Sequence, residues 1–131
     1  MEERTVRYET SDNVPLYKVD VIFDPTEDPP VRVAEANIHM PPGLSMVEFN
    51  LVGPASFLSY PLQWMENPYG LAGPPPYMSV ARLDDSTVIL TNSNRTARGQ
   101  ADVYPYMLLV FSGGHVFATD PTIINIPPGS G

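Results

Sequence analysis

The side chains best suited to chemistry in this chain are carboxylates, and they gather in two places. The stretch DPTED, Asp24 to Asp28, holds three acids, and Asp84-Asp85 holds two more on a turn. Calcium takes about six to eight oxygens, usually from a loop with carboxylates at alternating positions and a glycine at the bend. The first cluster has Pro25, Pro29 and Pro30 instead, so its spacing predicts a solvated acidic turn and no metal centre. His39 and His115 are the only imidazoles and share no metal-binding spacing such as His-x-x-x-His. The chain has no cysteine, which excludes disulfides, thiolate catalysis and cysteine-ligated zinc.

Catalytic motifs are missing as well. There is no Gly-x-Ser-x-Gly elbow, no HExxH and no glycine-rich phosphate loop ahead of a helix. A hydrolase built on a carboxylate pair, with Glu48 and another acid as partners, stays open, because the fold sets the separation of two acids. Asn94-Arg95-Thr96 is a glycosylation sequon in form only. Met1 is followed by the polar EERTVRYETSDN, without the basic start and apolar core of a secretory signal, which predicts a cytoplasmic protein.

Aromatic binding chemistry is the remaining possibility. The stretch from Tyr60 to Tyr77, YPLQWMENPYGLAGPPPY, carries the only tryptophan and five of the prolines, and is too long for a hairpin turn. Trp64, Tyr69 and Tyr77 can form a platform for a sugar or a proline-rich peptide, or they can anchor the loop on a sheet. PPPY at Pro74 to Tyr77 matches the short motif read by WW domains, but such motifs recur by chance and Tyr77 reads as the start of a strand.

Charge narrows the partners. Fifteen acids against seven bases leave a net charge of -8, Lys18 is the only lysine, and arginines do not cluster beside aromatics. Nucleic acid is excluded as a partner, since phosphate binding needs a basic face. The scattered acids read as a device for solubility. Hydrophobic residues make up 43% and charged ones 17%, with no apolar run near the roughly 20 residues of a membrane-spanning helix, so neither disorder nor membrane insertion is predicted.

These side chains must be positioned by strands. Sixteen prolines and nine glycines interrupt the chain, and no window sustains an apolar period of 3.6, so helices should be nearly absent. In YKVDVIF, Tyr17, Val19, Val21 and Phe23 share one face and Lys18 and Asp20 the other; VEFNLV alternates likewise. Further strands are predicted over Thr5 to Glu9, Val31 to Met40, Ser56 to Trp64, Tyr77 to Leu83, Thr87 to Asn92, Val103 to Phe111, His115 to Thr119 and Thr122 to Ile126. PPG at Pro41, DDS at Asp84 and NSN at Asn92 read as turns, and Gly113-Gly114 as a two-residue hairpin. Eight to ten short strands in one domain over residues 1–131 predict an all-β fold: an antiparallel β-sandwich with immunoglobulin-like Greek-key connections.

The strand ADVYPYMLLVF is apolar on both sides: Val103, Met107, Leu109 and Phe111 on one, Tyr104, Tyr106, Leu108 and Val110 on the other. A two-layer sandwich buries only one of them. With Phe117 across the hairpin, the band Tyr106, Leu108, Val110 and Phe117 is expected to remain for something else to cover: a segment of the same chain, another subunit or a ligand. The strand also looks like the immunoglobulin-type strand that begins with a corner tyrosine, here Tyr104, with Tyr106 where those domains often place a cysteine. At the C-terminus, Thr122, Ile124 and Ile126 should share one face of a last strand, and the flanking prolines suit a sheet edge.

HVFATDPTIINIPPG resembles the tail of the small bacterial DP-EP family. Asp120-Pro121 followed by TIIN supplies the first half of the signature, while Ile126-Pro127 stands where Glu-Pro is expected. The resemblance covers the last quarter of the chain and implies an immunoglobulin-like β-sandwich without established activity. The expected function is a non-enzymatic binding or self-assembly module without a cofactor, with a second copy of the chain as its expected partner in a homo-oligomer. The alternatives are a carbohydrate or calcium-assisted ligand-binding domain around Trp64, and the carboxylate-pair hydrolase.

Overall fold

The computed structural model describes residues 6–9, 14–65, 77–96, 101–119 and 122–126. The strands are β1 (Val6–Glu9), β2 (Pro15–Phe23), β3 (Val31–Val33), β4 (Asn37–Met40), β5 (Gly43–Val52), β6 (Ser56–Trp64), β7 (Met78–Asp84), β8 (Thr87–Asn94), β9 (Asp102–Ser112), β10 (His115–Thr119) and β11 (Thr122–Asn125). None of the described residues is helical.

The strands form two sheets. The first runs β1-β2-β5-β8-β7, with β3 beside β1 on the free edge of β2. In the second, β6 lies along one edge of β9, β10 and β11 follow each other along the opposite edge, and β4 flanks β11. Following the chain, β5 lies in the first sheet, β6 in the second, β7 and β8 in the first, and β9 and β10 in the second. This Greek-key order of an immunoglobulin-like sandwich agrees with the sequence prediction.

Alternation explains which side of each strand faces the gap between sheets. Val19, Val21 and Phe23 on β2, Val47, Phe49 and Leu51 on β5, and Val88 and Leu90 on β8 are buried from one side. Ile38, Met40, Tyr104, Tyr106, Leu108, Val110 and Ile123 meet them from the other. Burying such side chains contributes about 1.5 to 3 kcal/mol each before the entropy of ordering the chain is set against it.

Four features depart from the sequence reading. The sheets are mixed: β2 pairs with β5 and β11 with β4 in parallel, because β4 lies in the second sheet. The chain crosses the sandwich between β3 and β4 and again before β5, which gives the long connection that parallel neighbours require. For the same reason Val31 to Met40 is two strands. The expected NSN turn is instead the end of β8, where Asn92 and Asn94 point inward and find polar partners. And β11 is interior, held between β9 and β4, with Ile123 and Asn125 facing the core and Ile124 facing out.

The reversals behave as their residues demand. Gly113 and Gly114 both have positive φ, 58° and 81°, as a primed two-residue turn requires. Gly53 has φ 116°, and a Cβ there would stand 2.1 Å from the Phe23 carbonyl oxygen, so no other residue fits. In the turn between β7 and β8, the Asp84 carboxylate accepts from the Ser86 amide at 2.9 Å. That turn also reaches the second sheet, where Asp85 O accepts from Phe57 N at 2.7 Å.

Candidate functional site

The band expected to lie free on β9 is the part of the strand most deeply enclosed. Tyr106, Leu108 and Val110 are fully buried between the sheets, and Phe117 packs against the core with its ring 5.2 Å from Phe23. The two faces of β9 are therefore reversed relative to the expectation. The strand alternates strictly, and its pairing with β6 turns the tyrosine side toward Phe49 and Trp64, whose rings lie 6.1 Å and 5.6 Å from that of Tyr106. These three aromatics occupy the centre of the sandwich, at the place where a cysteine was expected to be replaced. Trp64 has thus committed part of its ring to the core.

What remains outward is the other face of the second sheet. Val103, Met107 and Leu109 are half-buried and Phe111 is 42% exposed. Cross-strand neighbours extend the surface: Val116 opposite Phe111, Ala118 opposite Leu109, Gln63 opposite Met107 and Ile124 opposite Val103. Val116 is 56% exposed and Met65, just past β6, 41%. Across all the strands of this sheet the only charged residue is Asp102. Its carboxylate is turned to the Thr96 hydroxyl at 3.0 Å and the Tyr104 hydroxyl at 3.5 Å. A surface of this kind is suited to burying apolar area against a partner.

At one end of the sandwich the inward side chains become polar. The Asn94 side-chain amide donates to Ile126 O at 2.9 Å, Pro41 O at 2.9 Å and Met40 O at 3.1 Å, and its oxygen accepts from Thr96 N. The sequon asparagine is buried and its nitrogen is spent, so it offers no acceptor for a glycan. Asn92 Nδ2 donates to Asn125 Oδ1 at 2.6 Å across the sheets. Tyr104 and Tyr77 share a hydroxyl–hydroxyl bond of 2.7 Å, and burial, helped by that bond, holds the Tyr104 phenol well above its ordinary range. Burial alone does the same to Tyr106, whose hydroxyl has no described partner.

The other candidates lie apart from one another. Asp24 accepts from the Thr26 hydroxyl at 2.7 Å and amide at 2.9 Å; these bonds, the hydroxyl first, hold its carboxyl below the usual range in an open turn. Glu48 is engaged by Asn50 Nδ2 at 3.0 Å and Lys18 at 3.7 Å on the outward side of the first sheet. His39 and His115 are exposed on β4 and β10, which are separated by β9 and β11. Tyr69 and Asp120 lie outside the described residues. Sequence reasoning missed the outward face of the second sheet, although a signal was there: the strands that compose it carry almost no charge. Neither models of known protein families nor curated proteins match this chain.

Proposed function

We propose that this protein is a non-enzymatic self-assembly module that docks a second copy of itself against the outward face of its second sheet. One observation carries the reading: a sheet with a single charged residue in a chain of net charge -8. Two such molecules repel over most of their surfaces and least where both lack charge. Three neighbouring strands about 4.8 Å apart, the longest rising about 3.4 Å per residue, give a face of roughly 500 Å². The margins from β4 and Met65 bring it toward the ~800 Å² per partner of a standard interface. The resemblance of the closing stretch to the DP-EP family belongs to the same proposal, since the sandwich it implies agrees with the fold.

Sedimentation velocity tests it. The chain should run as a dimer at about 100 µM and dissociate on dilution. Phe111→Glu, at an exposed position, should leave the melting temperature of the monomer unchanged and abolish the dimer. A wild-type chain that stays monomeric at that concentration sinks the proposal.

A further inference from the structure

On the opposite sheet, the start of β7 and the end of β8 flank a cavity of about 330 Å³ lined by Tyr77, Met78, Ser79, Thr91, Ser93 and Arg95. We propose that it binds a small sugar acid, a ligand with one carboxylate and several hydroxyls. The alternation of β8 buries Leu90, Asn92 and Asn94 and turns Thr91 and Ser93 outward, and Ser79 stands directly across from Thr91. Three hydroxyls therefore share one patch, and none of them has a described hydrogen-bond partner. Each can donate one bond and accept others, which suits a polyol better than an apolar ligand.

Arg95 supplies the charge. It is exposed and pairs with no described acid, although acids outnumber bases 15 to 7 in the chain. The nearby Asp102 is already engaged by Thr96 and Tyr104. A guanidinium takes a carboxylate through two parallel bonds, a geometry lysine cannot reproduce. The Tyr77 ring forms a fixed wall, because its hydroxyl is held by that of Tyr104. The volume is at the lower end for small-molecule sites, which fits a monosaccharide and leaves a bare inorganic anion with much of the hydroxyl row unused. A net charge of -8 also opposes a divalent anion more than a monovalent one.

Amide chemical shifts of the full chain, followed during titration with glucuronate, glucose and sulfate, test this directly. Glucuronate should shift Ser79, Thr91, Ser93 and Arg95 saturably at millimolar concentration, with glucose and sulfate at least about tenfold weaker. Arg95→Gln should weaken glucuronate by about tenfold or more without moving the melting temperature, and Thr91→Val with Ser93→Ala should weaken it in the same way. The proposal is overturned by an absence of saturable shifts, by glucose or sulfate matching glucuronate, or by Arg95→Gln binding as wild type. The cavity lies away from the proposed dimer face, so the outcome is independent of self-association.

Discussion

Two buried side chains have opposite relations to their surroundings. The Tyr106 ring fills the centre of the core between Phe49 and Trp64, yet its hydroxyl has no described partner. An unpaired buried hydroxyl costs about 1 to 3 kcal/mol, so Tyr106→Phe should raise stability by about 1 kcal/mol in denaturant titration at neutral pH. It should also blunt alkaline unfolding. Burial holds the folded-state Tyr106 phenol above its ordinary value of 10, so below pH 10 it is neutral in both states, and as pH rises further the unfolded chain ionises first and stability falls. The melting temperature of wild type should fall above pH 10 more steeply than that of Tyr106→Phe. Asn94, by contrast, is fully used: it ties the end of β8 to carbonyls that follow β4 and β11. Asn94→Ala should cost about 2 to 3 kcal/mol, read in the same titration, because it removes the bonds that Asn94 makes to Pro41 O and Ile126 O, whereas Met40 O keeps the Ile126 amide.

Among the elements, β11 distinguishes pattern from placement. Its alternation was legible in TIIN, but the pattern is symmetric: a run apolar on both sides cannot say which side is core. The structure answers through Asn125, whose amide finds Asn92 only if Ile123 also points inward. Ile123→Ala should therefore cost about 2 to 5 kcal/mol, whereas Ile124→Ala, on the half-buried outward side, should cost less than half as much in thermal or chemical denaturation. The same symmetry hid the facing of β9. The hairpin at Gly113-Gly114 was legible outright, because the turn has a local conformational requirement that few residues meet.

For the whole molecule, the proposed dimer and the proposed sugar-acid cavity use opposite faces of the sandwich, so ligand binding and assembly can occur together. The dilution and Phe111→Glu experiment belongs at this scale, since no single strand carries the charge-free face. The all-β class and the hairpins at Asp84 and at Gly113-Gly114 were determined by the sequence alone, because alternation, proline and glycine act within a few residues; the eleventh strand came from the division of Val31 to Met40 between the two sheets. The direction of strand pairing, the interior position of β11 and the inward side of β9 were decided only by tertiary structure. Each depends on which distant strand lies alongside, through contacts between residues far apart in the chain, and a period of two reads the same from either side.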